Sequence, residues 1–208
     1  MPGELRLPQA LEVLDIAGEG RRSVTYRANH QGEVIALKVY RQAFIDKYRQ
    51  RFKLNIAQFE FDRNRAFYAV EGLRPYAAQP IGVLGIEDQY SLCFMQEFLT
   101  GPTLIELAQQ NHGLPQSVLN AGRFICETAE TSGLHDLDIF YKNVLMRKQE
   151  GVWLPVLHDF NLLPQHLYPR NPFLALAYLT GLRKKSHRDW RCLRGWQEFS
   201  ERCSNGEL

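Results

Sequence analysis

Strand-like patterns fill the first forty residues, and helix-like periodicity fills most of the rest. Residues 23–28 are rich in β-formers and alternate polar with apolar positions, the two-residue period of a half-buried strand, and 11–16 and the strongly apolar 34–40 read as strands on either side. Turns at 17–20 and 29–32, each holding glycine, separate them, so an antiparallel meander is expected. Between 41 and 72 the period lengthens. Ile56, Phe59, Arg63, Phe67 and Val70 recur near helical spacing, and Gly72 reads as a helix stop. Two more strands are expected over 79–84 and 90–98. Thr100-Gly-Pro-Thr103 then breaks the chain. Beyond Leu104 the pattern is helical except over 134–163, where Val144-Leu-Met146 and Trp153-Leu-Pro-Val-Leu157 suit a small hairpin. The run 172–182 is apolar almost throughout; it reads as a buried helix, too short for the ~20 residues that span a bilayer. Strands first and helices later predict an α+β protein with two lobes meeting near residue 100.

Composition narrows this picture. The chain has 208 residues, of which 45% are hydrophobic and 23% charged, an ordinary globular balance with enough chain to bury a core unaided by disulfides. A net charge of +2 is too even for a dedicated nucleic-acid binder, so no nucleic-acid partner is expected. The cysteines, Cys93, Cys126, Cys192 and Cys203, form no C-x-x-C pair, which argues against a zinc ribbon or thioredoxin-type site. The opening Met1-Pro-Gly-Glu-Leu-Arg-Leu-Pro lacks the basic start and apolar stretch of a secretory signal, so reduced thiols in a cytosolic protein are expected.

Four groups of residues could carry chemistry. Gly18-x-Gly20-x-x-Ser23 sits between two expected strands. That context is wrong for a dinucleotide fingerprint, which opens a helix, and right either for a plain tight turn or for a hairpin folding over phosphates. Lys38, in Ile35-Ala-Leu-Lys38-Val-Tyr, is an ammonium inside a strongly apolar strand. Either it points outward to solvent or its burial must be offset by a partner. Asp138 and Asn143 stand five apart and end at a short apolar strand, and Asp159 with Phe160 follows another. Singly each is a cap or turn residue. Together, three oxygen-bearing side chains suit Mg²⁺, and a carboxylate not used for metal could accept a hydroxyl proton.

In this order the groups resemble the protein-kinase-like superfamily over roughly residues 11–163. Gly18-Glu-Gly20 is similar to its glycine-rich loop, Ile35-Ala-Leu-Lys38 to its β3 lysine motif, and Asp138-x-x-x-x-Asn143 to its catalytic loop. Asp159-Phe160 is similar to the metal-binding D-F-G, and Gln96-Glu97-Phe98-Leu99 to the hinge, with Gln96 as gatekeeper. The chain departs from the pattern at Ser23, which replaces the third loop glycine, at Asp136, where many kinases carry histidine, and at Asn161, in place of the last glycine. Only 49 residues follow Asp159, there is no A-P-E motif, and the tail 182–196 is basic and carries Trp190 and Trp196. These features resemble the small bacterial lipopolysaccharide core kinases, which phosphorylate heptose or Kdo sugars.

The resemblance implies a single kinase-like domain, 1–208, with a small antiparallel-sheet N-lobe (about 1–97), a hinge (about 97–101) and a reduced helical C-lobe (about 102–208). It implies an ATP- and Mg²⁺-dependent kinase binding its nucleotide between the lobes. Gly18, Gly20, Ser23 and Lys38 would position the phosphates, and Glu60 would orient Lys38, with Asp62 and Asn64 as rivals. Backbone groups from Glu97 to Leu99 would hold adenine. Asp138 would accept the acceptor proton, while Asn143 and Asp159 would bind Mg²⁺. The acceptor would be a sugar or lipid-linked sugar, and the place the cytoplasm, at the inner face of the inner membrane. Residues 41–53 hold five Lys or Arg against one Asp, and 183–194 six against one. Such runs are solvated helix faces, or else sites for a phosphorylated acceptor or an anionic leaflet. Two other functions stay open. One is a pseudokinase, a nucleotide-binding or regulatory module. The other is a metal-dependent phosphohydrolase using His112, His135-Asp136 and His158-Asp159, which would need long helices where 153–157 reads as a strand.

Overall fold

The computed structural model describes residues 11–85 and 91–207. The leading ten residues, read above for a secretory signal, lie outside them, as do Tyr90, at the head of the expected 90–98 strand, and Leu208. The described chain divides into two compact units, one of residues 1–65 and 78–99, the other of 66–77 and 100–208.

The first unit is a five-stranded sheet: β1 (Leu11–Glu19), β2 (Ser23–His30), β3 (Glu33–Tyr40), β4 (Pro80–Gly85) and β5 (Ser91–Glu97). The spatial order is β1-β2-β3-β5-β4 and every pairing is antiparallel. The expected meander is therefore present. β1 runs further than expected, however, through Gly18 to Glu19, with register shifts at Val13/Asp15 and Ile16/Gly18. Such shifts twist and bend a strand, so the turn itself moves to residues 20–22. Leu11, Ala28, Ile35, Leu37, Cys93 and Met95 close the core on one face of this sheet.

The helical stretch after β3 is two helices, α1 (Gln42–Phe52) and α2 (Ile56–Ala69). Lys53 sits at φ 57°, and the N–H groups of Lys53 and Leu54 bond back to Arg49 and Tyr48, the left-handed stop that satisfies the last helix carbonyls. The Asn55 side chain accepts from the N–H groups of Ala57 and Gln58, supplying acceptors to donors that a helix start leaves over.

The second unit holds α3 (Leu104–Gln110), α4 (Gln116–Thr131), the ribbon β6 (Val144–Gln149)–β7 (Val152–Leu157), α5 (Pro172–Leu179) and α6 (His187–Ser204). Thr103 and Glu106 form a reciprocal capping box on α3, and those bonds hold the Glu106 carboxyl below its usual range. Trp196, Phe67, Phe160, Leu104, Leu107 and Ile125 lie in its core. α4 and α6 approach closely at Gly122, where a Cβ would stand 2.7 Å from Leu193 and Trp196. One expectation fails: α5, read as a buried helix, has no buried residue. Apolar composition says that a helix could be covered; it does not say that this protein covers it.

The chain passes from the first unit to the second between Leu99 and Thr100, and there it is pinned. The Met146 N–H donates to the Pro102 carbonyl at 2.8 Å, and Thr103 bridges Leu145. A Cβ on Gly101 would collide with the Met146 carbonyl, standing 2.7 Å from its carbon. Gly101→Ala is therefore expected to destabilise the protein by at least about 2 kcal/mol in urea unfolding. Gly18→Ala, where a Cβ would meet nothing within 4 Å, should stay within about 0.5 kcal/mol of wild type.

Among the described residues no helix is long and apolar enough to cross a membrane. All four cysteines are free thiols, and burial pushes Cys93 up to about 12.

Candidate functional site

Lys38 lies on β3, opposite Thr25 of β2 and Phe94 of β5. A central strand buried on both faces gives its side chain no route to water, and Lys38 is 6% exposed. The buried stripe of α2 runs Ile56, Glu60, Asn64, Phe67, a helical spacing with two polar members. Of the three side chains the sequence offered to Lys38, Glu60 is the one that meets it, with Nζ 2.8 Å from Oε1 and the carboxylate fully buried. Asp62 is exposed beside Arg65 and Gln58. Asn64 is buried and donates to the Gln96 side chain at 3.2 Å.

Gly18 is in β1, paired with Thr25, and Gly20 is in the turn, its N–H donating to the Ser23 carbonyl at 2.9 Å. Neither has the left-handed φ that would demand glycine, and a Cβ on Gly20 would touch only that carbonyl, at 3.4 Å. The fold itself does not call for glycine at either position. Ser23 is buried, and the Arg41 side chain and N–H reach the Gly20 and Arg22 carbonyls. At the end of β5, the Glu97 N–H donates to the Gln79 carbonyl while its carboxylate accepts the Gln79 N–H. Leu99, the last residue of the first unit, is half-buried.

In the second unit, Asp138 lies on the loop between α4 and β6. Asp136 and Asp138 both adopt left-handed φ, 56° and 57°, which aspartate tolerates better than most residues. What holds them there is α6. The Asp189 carboxylate, 3% exposed, accepts the N–H groups of Asp136 and Leu137 at 2.9 and 2.8 Å. Trp196 Nε1 donates to the Ile139 carbonyl at 2.8 Å, and Leu137 and Ile139 fill the core. Asp136, standing where the family pattern has histidine, accepts the Gln165 N–H at 2.8 Å and lies 3.8 Å from Arg188. It thereby ties this loop to the segment after Asp159. Burial and the carboxylates of Asp189 and Asp138 push the Cys192 thiol up to about 11.

The ribbon register places the remaining two residues. Val144 pairs with Leu157, so Asn143 and His158 flank the same end of the ribbon and Asp159 comes next. Both Asn143 and Asp159 are half-buried. The Asn161 N–H donates to the Asp159 carboxylate at 3.3 Å, and Phe160 is buried against Phe67, with ring centres 5.4 Å apart. One carboxylate and one amide oxygen suit Mg²⁺, which keeps several waters and needs few protein ligands. Among the described residues no three His, Cys, Asp or Glu side chains cluster to hold a metal, and His158 and Asp159 follow the strand β7. The phosphohydrolase reading, which needs such a cluster on long helices, falls on both counts.

Sequence reasoning missed Asp189. It sits in a run of cations and counted there as one acid against six bases. Nothing local marks it as buried; the only signal is its place at the start of an amphipathic helix.

Similar architecture occurs in two mutant forms of the PknI kinase domain from Mycobacterium tuberculosis. They share 20% identity with this chain over 76% of its length, at TM-scores of 0.52 and 0.51. It occurs also in the apo form of PpkA-294, 17% identical over 89% of this chain and 67% of that one, at a TM-score of 0.58. The chain spans 62% of the PknI domain structures. No protein-family model and no curated protein matches it. The chain thus has a protein-kinase-like fold, with a small antiparallel-sheet lobe and a helical lobe.

Proposed function

We propose that the protein is an ATP- and Mg²⁺-dependent phosphotransferase acting on a sugar hydroxyl, of lipopolysaccharide core or a related glycolipid, with the two units as lobes of one domain, 1–208. The observation that carries this reading is the buried Lys38–Glu60 pair. A dry ion pair adds little net stability to a fold compared with apolar side chains, so its presence on a central strand calls for another use. Here that use is an ammonium held in place for phosphate oxygens. The two glycines that the backbone does not require support the same reading, because side chains there would keep phosphates away from the turn N–H groups.

In this reading Gly18, Gly20, Ser23 and Lys38 position the triphosphate, and the backbone of Glu97 and Leu99 meets adenine. Asn143 and Asp159 hold Mg²⁺, which when bound offsets the charge that develops on the transferred phosphoryl group. Asp138 accepts the proton of the attacking hydroxyl. Asp189 accepts the N–H groups of Asp136 and Leu137, the two residues before Asp138, which holds the backbone that carries the carboxylate, and positioning is most of what such catalysis requires.

ATP turnover with core oligosaccharides tests the reading. Asp138→Ala should lower kcat by about 10²-fold or more; equal activity in both proteins would remove Asp138 from its role. ATP-dependent thermal stabilisation with no transfer to a broad acceptor panel would favour a regulatory nucleotide-binding module instead. No nucleotide binding at all would overturn both.

A further inference from the structure

α5 presents a face that the protein leaves uncovered. Tyr178 turns inward, its hydroxyl donating to the Gln165 side chain at 3.3 Å and its ring against His166. Phe173, Leu176 and Leu179, on the other side, are 85%, 57% and 84% exposed, and Leu182 just beyond is 86% exposed. Four large apolar side chains together on a surface mark a contact site rather than chance exposure.

The surrounding charge selects the occupant. From Phe160 to Arg188 the sequence contains no Asp or Glu, while Arg170, Arg183, Lys184, Lys185 and Arg188 are all cationic. Arg170, Lys184 and Lys185 are exposed, flanking the helix at both ends. Glu130 of α4 lies near Lys184, and Asp136 near Arg188, but Arg170, Lys184 and Lys185 are the exposed charges of the segment itself, and an apolar face flanked by exposed cations matches the boundary between acyl chains and anionic headgroups. A protein partner or a second copy of this basic face would meet like charge unless it brought acids of its own. Among the described residues no helix can span a bilayer, so the contact is interfacial. We infer that α5 and its basic flanks form a peripheral anchor on an anionic membrane surface, inserting Phe173, Leu176, Leu179 and Leu182 below the headgroups. This goes beyond the basic runs singled out in the sequence, because it names the apolar element that inserts. Its readout is lipid rather than ATP, so it stands or falls apart from the phosphotransferase reading.

The experiment is flotation of the full chain with vesicles of phosphatidylcholine containing about one part in four phosphatidylglycerol, against phosphatidylcholine alone. Binding is expected on the anionic vesicles and is expected to weaken at high salt. Leu179→Asp with Leu182→Asp should lower partitioning about tenfold or more. Lys184→Glu with Lys185→Glu should lower it about fivefold per cation removed, on anionic vesicles only. These positions are exposed, so unchanged circular dichroism is expected for both variants. Wild-type partitioning by either folded variant, or equal binding to both vesicle types, would overturn the inference. So would a lipid-free dimer in sedimentation that Leu179→Asp disperses, since a second copy would then cover the face.

Discussion

Replacing Lys38 with methionine is expected to abolish phosphoryl transfer and also to destabilise the protein by about 3–5 kcal/mol, because the Glu60 carboxylate would lose its ammonium in a dry interior. The side chains are 8% and 0% exposed, so water cannot enter cheaply in the ammonium's place. The single variant therefore confounds two effects, and the paired variant separates them. Lys38→Met with Glu60→Leu removes both charges and leaves apolar side chains of similar volume, an exchange that is often neutral or stabilising in other buried pairs. The double variant should recover most of the stability in urea unfolding while its ATP turnover stays at background. Recovery of turnover along with stability would make the pair an element of the fold and nothing more, and the phosphotransferase reading would lose its principal support.

What made this pair legible was the resemblance. A lysine in Ile35-Ala-Leu-Lys38 could face solvent or be buried against a partner, and the likeness to the β3 lysine motif pointed to one on the helical stretch that follows, with Glu60, Asp62 and Asn64 as candidates. The strands were legible from the residues themselves: two-residue alternation, clearest over 23–28, matches one face of a pleated strand and fits a helix poorly. α5 was not, because an apolar run records what a segment could bury and carries no information about what covers it. Nor was the break between α1 and α2, which rests on one left-handed residue, Lys53, of a type common throughout helices. The path of β1 past Gly18 depends on register shifts that composition does not reveal. Asp189 was hidden for a deeper reason. Its partners are backbone N–H groups more than fifty residues away in sequence, and every sequence has backbone N–H groups everywhere.

That hidden carboxylate leads to the second large effect. Asp189→Ala would leave the N–H groups of Asp136 and Leu137 without their acceptor, each a charge-assisted bond of about 1.5–3 kcal/mol. Asp136 and Asp138 stand in left-handed conformations that persist only while the surroundings hold them. With the acceptor gone the loop is expected to relax and the Asp138 carboxylate to shift. A displacement near 1 Å can cost about 10²-fold in rate. The expected signature is therefore split: kcat falls about 10²-fold while KM for ATP changes little, since Lys38 and Glu60 belong to the other unit. Asp189→Asn should rescue only in part, because its single carbonyl oxygen satisfies one N–H while its amide N–H₂ faces the second donor. Asp189 is on this account a positioning residue, acting through Asp138. If Asp189→Ala were destabilised yet kept its full kcat, the loop would hold its geometry without α6, and the strain at residues 136–138 would have no part in the reaction.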